Sequence, residues 1–141
     1  MIILDTNVLS ALMRHEPDPV VITWLDRQAP QSVWTTAVTV FEIIFGIELL
    51  APGRRRQQLE QAFQDAITKD FSRRILPFDQ MAAREAALLA AQRRQNGLPL
   101  EIRDTQIAGI ALARRATVAT RNIKHFSGTG VDLVNPWEIK V

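Results

Sequence analysis

The chain has 141 residues, with 17 Lys or Arg against 15 Asp or Glu, a formal net charge of +2 and no cysteine. That length fits one domain, 1–141, and the missing cysteine excludes disulfides and thiolate metal sites. No apolar run approaches the roughly 20 residues of a membrane span, and no basic-then-apolar leader opens the chain, so a cytoplasmic location without a membrane is expected.

The sequence pI of about 9.7 overstates basicity, because no Tyr or Cys titrates between neutrality and lysine. Only Lys69, Lys124 and Lys140 are lysines; arginine supplies the other cations. Arginine suits phosphate recognition and also exposed helix faces, so it adds only weak support for a nucleic-acid partner.

Ile2, Ile3 and Leu4 read as a short strand buried on both faces. Asp5 stands where the strand stops, and residues 6–14 read as the first helix. In an open α/β sheet ligands bind at the carboxyl ends of strands, so Asp5 is either a ligand to a divalent cation or a helix cap. Pro17 and Pro19 break the helix. Val20, Val21, Trp24 and Leu25 are spaced for a second helix, ending near Pro30. Residues 32–36 are rich in β formers and read as a second strand.

Thr39 followed by Glu42 has the capping-box pattern and is read as opening a third helix. Ala51, Pro52 and Gly53 end it. A fourth helix starts at Arg54 and carries Leu59, Ala62, Phe63, Ala66 and Ile67 at core spacing. Residues 74–78 read as a short strand. Asp79 caps an Ala-rich helix to Gln95, which Asn96 and Gly97 stop. After a connector over 98–103, Asp104 is read as beginning a helix with Ile107, Ala108, Ile110 and Ala111 on its apolar stripe. Residues 117–120 and 131–134 are the last two strands. Short strands alternating with helices predict a three-layer α/β fold with a parallel sheet.

Asp5, Glu42 and Asp104 each stand at a helix start or strand end. Capping accounts for all three. Glu42, however, lies within one of the most apolar stretches of the chain, between Phe41 and Ile43. A carboxylate there is costly without a cation or several donors. Three such groups at one sheet edge would repel one another, and a bound divalent ion would relieve that repulsion. Oxygen ligands without Cys or His select a hard ion, Mg²⁺ or Mn²⁺, which serves phosphoryl chemistry.

The ordered set of Asp5, Thr6 and Asn7, then Thr39, Glu42 and Gly46, then Asp104, Ile107 and Ala108, then Thr120, Arg121 and Asn122, and last Asn135 to Trp137 resembles the PIN-domain nucleases. Within them it is similar to the VapC toxins of type II toxin–antitoxin modules and the FitB branch, over essentially the whole chain. The resemblance implies a PIN-like fold and a metal-dependent endoribonuclease with Asp5, Glu42 and Asp104 as its acidic centre. It also implies a homodimer, a cognate inhibitory antitoxin, and operator DNA bound only through that antitoxin.

One departure matters. The family often has a fourth acid after the penultimate strand, where this chain has Asn122 and His125. Asn122 remains able to orient a metal-bound water, and three acids favour a one-metal mechanism. Thr6 and Thr120 either supply hydroxyls to the site or serve as cap and strand former. Arg121 and Lys124 leave the same strand end as Asn122 and are candidates for RNA phosphate contacts. Two other readings compete. A phosphotransfer domain with an acidic Mg²⁺ pocket would need paired acids near its first strand and a distal lysine, neither of which is found. A catalytically weakened PIN-like module that mainly assembles with a DNA-binding antitoxin is the other.

Overall fold

The computed structural model describes residues 1–138; residues 139–141 of the single domain expected over 1–141 lie outside the described residues. Five short strands form one sheet: β1 (Ile2–Leu4), β2 (Val33–Thr36), β3 (Ile75–Leu76), β4 (Thr117–Ala119) and β5 (Asp132–Val134). Their order is β3-β2-β1-β4-β5 and every pairing is parallel. The chain therefore starts in the middle, steps outward through β2 to β3, and returns across β1 to lay down β4 and β5. A switch point opens between β1 and β4, where Leu4 faces Ala119. Ligand crevices form at such points because the connections leave in opposite directions.

Among the described residues seven α-helices flank the sheet. Those on one side are α1 (Thr6–Leu12), α2 (Pro19–Asp26), α3 (Ala37–Glu48) and α4 (Arg54–Asp65). On the other are α5 (Gln80–Gln95), α6 (Ile102–Arg114) and α7 (Ile123–Phe126). Alternation along β1 and β4 separates two cores. Leu4 and Ala119 join Val8, Trp24, Ile43 and Phe63, whereas Ile3 and Val118 join Leu89, Ile107, Ile110 and Phe126. Val38, at the start of α3, belongs to the second cluster and ties that helix to both. A central strand buried on both faces needs the unbroken apolar run that Ile2, Ile3 and Leu4 supply.

The parallel three-layer class is as expected; several boundaries are not. The capping box at Thr39 and Glu42 is corrected. Thr36, extended at φ −128° and ψ 158°, caps α3 by accepting the Thr39 N–H, and Thr39 is buried in the first turn. The β-branched Thr36 ends a strand and caps a helix at once, so the helix begins three residues earlier. Likewise Asp104 does not open α6. Glu101 is its N-cap and accepts the N–H groups of Arg103 and Asp104, which leaves Asp104 in the first turn. The strand expected over 74–78 is only two residues long. Beyond α4 the helix widens into a π turn over Ala66–Asp70. Residues 123–126, read as a segment leaving the strand, form a helical turn.

Two helices approach unusually closely. At Gly109 in α6, a Cβ would lie 2.5 Å from the Ala82 carbonyl oxygen and 2.6 Å from the Ala86 Cβ of α5. Small residues on both helices, Ala82, Ala86 and Ala108 among them, make that approach possible.

Candidate active site at the carboxyl edge of the sheet

Asp5 follows β1 and is 5% exposed. Its Oδ1 accepts the Thr6 N–H at 2.8 Å, so it does cap α1. Its Oδ2 accepts the Thr120 hydroxyl at 2.8 Å and the Asn7 amide at 3.0 Å. A cap alone needs only the first of these bonds. The Asn7 bond is local to α1, whereas the Thr120 bond reaches to the end of β4 and holds the carboxylate across the switch point. Thr120 is fixed in turn by the Asn122 N–H, which its hydroxyl accepts at 3.0 Å, and Asn7 accepts the Arg121 N–H at 3.1 Å.

Glu42 comes to this edge from α3. The Thr6 hydroxyl donates to its Oε1 at 2.9 Å and lies 3.2 Å from the Thr39 hydroxyl. Thr6 thus links the first turn of α1 to the middle of α3. Asp104 reaches the same neighbourhood from the first turn of α6, and His125 Nδ1 of α7 lies 3.5 Å from its Oδ2. Arg103 Nη1 lies 3.7 Å from Glu42 Oε2, and its Nε lies 3.2 Å from Glu101 Oε1.

These groups feel one another. Burial lifts the Asp5 carboxyl above its ordinary value, against the pull of its three donors. Glu42 is raised chiefly by burial, with Asp5 and Glu101 adding repulsion that Thr6 and Arg103 oppose. Asp104 is raised from 3.8 to about 6, first by burial and then by the charges of Asp5 and Glu101. The Glu101 carboxyl is itself lowered by the N–H groups it caps and by Arg103, against the cost of burial.

Such a set suits a hard divalent ion in kind: carboxylate oxygens, with hydroxyls beside them, whose mutual repulsion a cation would relieve. Asp5, Glu42 and Asp104 are the residues able to hold it. Among the described residues no three His, Asp or Glu side chains close around a single point. Arg103 and His125 instead stand beside Glu42 and Asp104 as partial counter-charges. The arrangement is an open acidic edge rather than a finished cage.

The raised carboxyl of Asp104 has a measurable consequence. Its folded-state value lies above the unfolded one, so the folded chain holds this proton more tightly. Stability is therefore lost as pH rises from about 4 to about 6, and recovered as pH falls. In EDTA the protein is expected to be more stable at pH 5 than at pH 7.5 by about 1–2 kcal/mol, after discounting for solvent screening. Asp104→Asn should remove most of that difference. Thermal melts across this range check it; a flat profile would mean that the Asp104 carboxyl is not raised in the folded chain.

Of the residues expected at the site, Asp5, Thr6, Glu42 and Thr120 are joined by hydrogen bonds, and Asp104 couples to them through charge. Asn122 contributes its backbone N–H to Thr120. Arg121 is exposed, its guanidinium 4.7 Å from the centre of the Trp137 ring, and Lys124 is exposed on α7. Sequence reasoning missed Glu101 and Arg103, which it left in a connector, and the amide of Asn7. Glu101 is not among the usual N-cap residues, whereas Asp104, three residues later, is, so local sequence pointed to Asp104.

The PIN domain family matches residues 2–130. The chain belongs to the PIN domain family. Plasmid stability protein StbB of Pseudomonas syringae pv. tomato is 40% identical to this PIN domain, with 98% of the chain and 99% of the relative covered. VapC ribonuclease Y4jK of Sinorhizobium fredii is 38% identical, again over 98% of the chain and 99% of the relative. Toxin FitB of Neisseria gonorrhoeae is 36% identical over 97% of this chain and 99% of its own. A solved structure of FitAB bound to an IR36 DNA fragment superposes with a TM-score of 0.90 at 35% identity, covering 100% of this chain and 99% of that one.

Elsewhere this PIN domain leaves apolar surface uncovered. Phe41 and Phe45 on α3 stack with ring centres 5.9 Å apart, and Leu49 one turn on is 71% exposed. Met81 and Leu88 stand out from α5 in the same way. A cavity of about 730 Å³ lies between α1, α2 and the π turn, with Leu9, Leu12, Met13, Leu25 and Phe71 among its walls. Phe45 is therefore a surface residue, whereas Trp24, Phe63 and Phe71 are core. Among the described residues no helix is long and apolar enough to cross a membrane.

Proposed function

We propose that this PIN domain is the ribonuclease toxin of a toxin–antitoxin pair, an endoribonuclease that hydrolyses RNA phosphodiester bonds with Mg²⁺ or Mn²⁺ at Asp5, Glu42 and Asp104. The observation that carries the reading is that Asp5, Glu42 and Asp104 are all raised above their ordinary values at one edge of the sheet, first by burial and, at Glu42 and Asp104, also by neighbouring negative charge. Carboxylates held above their ordinary values at one cleft are characteristic of sites built for a charged ligand. The length-wide similarity to a protein named a VapC ribonuclease supports the choice of RNA.

When bound, the ion would supply an activated water and neutralise charge developing at the scissile phosphate. The chain's own residues have separate tasks. Thr120 and Asn7 hold Asp5 in one orientation across β1 and β4. Thr6 aims Glu42. Asp104, being the acid most readily protonated in the empty site, is the one most changed when a cation arrives. Arg121 and Lys124 serve the RNA backbone beyond the β4 end.

Cleavage of end-labelled RNA, with the ends mapped, tests this reading: cutting is expected in Mg²⁺ or Mn²⁺ and none in EDTA. No cutting of any RNA with either ion would leave the weakened, antitoxin-assembling module as the better account. RNA affinity should also fall with salt at a slope of about −0.7 per phosphate contact. Arg121→Ala and Lys124→Ala should each flatten that slope by roughly one contact. Wild-type slopes for both would place the RNA on a different edge.

The assembly reading is a homodimer with a cognate antitoxin, reaching operator DNA only through that antitoxin, and with no membrane association in the cytoplasm. The solved FitAB complex on DNA supports it by similarity. So does the uncovered surface, where Phe41 and Phe45 stack on α3.

A further inference from the structure

Among the described residues, Arg103 is the one cation within ion-pair distance of Glu42. It rises from the first turn of α6, next to Asp104, and its guanidinium lies between two carboxylates. The two contacts differ in kind. Nε lies 3.2 Å from Glu101 Oε1, a hydrogen bond. Nη1 lies 3.7 Å from Glu42 Oε2, beyond hydrogen-bond length, so it is a pairing of charge alone. Glu101 is itself pinned, because it caps α6 by accepting the N–H groups of Arg103 and Asp104. The guanidinium is thus tied firmly at the rim and loosely at Glu42. With 40% of its side chain exposed, it has room to turn away without leaving the rim.

Glu42 offers its two oxygens unequally. Oε1 is occupied by the Thr6 hydroxyl at 2.9 Å, and Oε2 is the one that faces Arg103. A cation that takes Glu42 through its free oxygen must come to the place the guanidinium charge now fills. Two cations cannot share that oxygen at close range without strong repulsion. We propose that Arg103 is an internal counter-ion of the acidic edge, which a divalent cation must displace from Glu42 in order to bind. The inference rests on the metal-dependent reading above and adds a competitor built into the chain. Its consequence is a site that stays empty until the ion is plentiful enough to move the arginine.

The test is Mn²⁺ binding to the whole chain, followed by calorimetry without RNA. Arg103→Gln removes the charge and is expected to tighten Mn²⁺ binding about five- to tenfold, whereas Arg103→Lys keeps the charge and should stay near wild type. Arg54→Gln, exposed at the start of α4, serves as the measure of general charge removal and should change affinity by less than about twofold. In the wild type, the Arg103 Nη resonances should move on adding Mg²⁺, reporting release from Glu42, while Nε–Hε, bonded to Glu101, moves less. Equal affinity in wild type and Arg103→Gln overturns the competition. Weaker affinity in Arg103→Gln also overturns it, since Arg103 would then be positioning Glu42 for the ion. Absence of Mn²⁺ binding in every variant overturns the metal reading and this inference together, whereas equal binding in all of them overturns this inference alone.

Discussion

Asp5→Asn is expected to cut RNA more slowly by about two orders of magnitude or more, while melting in EDTA within a few degrees of wild type. The two halves of that expectation come from different bonds. Asn at this position still accepts the Thr6 N–H through its oxygen, and Asn caps helices about as well as Asp. Its amide would meet the Asn7 amide, a donor against a donor, and lose roughly 1 kcal/mol. Relief of a carboxylate held above its ordinary pKa works in the opposite direction. The two nearly cancel. No such compensation exists for the ligand: the neutral amide oxygen holds a divalent charge far more weakly than a carboxylate. The measurements are a melt in EDTA beside a cleavage assay in Mg²⁺ or Mn²⁺. Retained cleavage would reduce Asp5 to a cap and remove the nuclease reading with it.

Gly109→Ala carries the largest expected effect on stability. The added Cβ would overlap a backbone carbonyl oxygen at 2.5 Å and a Cβ at 2.6 Å, neither of which is the end of a flexible side chain. Helix propensity alone favours Ala over Gly by about 1 kcal/mol. The overlap outweighs it, because α5 and α6 must move apart along a seam of buried small residues. Overpacking of this kind costs about 2–3 kcal/mol, which corresponds to a drop of about 8 °C in melting temperature. The loss should also reach the site, since Asp104 sits in the first turn of α6. A melting temperature at or above wild type would mean that the two helices slide apart freely.

The sequence made some elements plain and hid others, for physical reasons. The run of Ile2, Ile3 and Leu4 declared a strand buried on both faces because it is short, rich in β-branched residues and ends at once in Asp5. The Ala-rich stretch declared α5 by composition and by the Asp79 cap. Helix starts were harder. Thr39 and Glu42 have the spacing of a capping box, yet Thr36, three residues upstream, has an equal claim, and only the end of β2 decides between them. Asp104 and Glu101 posed the same ambiguity at α6. At the site, the residue types of Asp5, Glu42 and Asp104 were visible, whereas their counter-charges were not. Arg103 and His125 become relevant only when α6 and α7 are set beside α3, an arrangement of tertiary packing that no local spacing encodes.

The order of strands in the sheet also sets a clock. Asp5 is held by Thr120, 115 residues later in the chain, and β1 has no neighbour on its β4 side until that part of the chain exists. At about 5–20 residues per second of synthesis, the first strand waits on the order of ten seconds for its last partner. Through that interval the emerging polypeptide has an acidic residue but no site, and a central strand with one open edge. Harm to the RNA of the cell that makes it, if this chain is the nuclease proposed, begins only when the final third has left the ribosome and closed over the first ten residues.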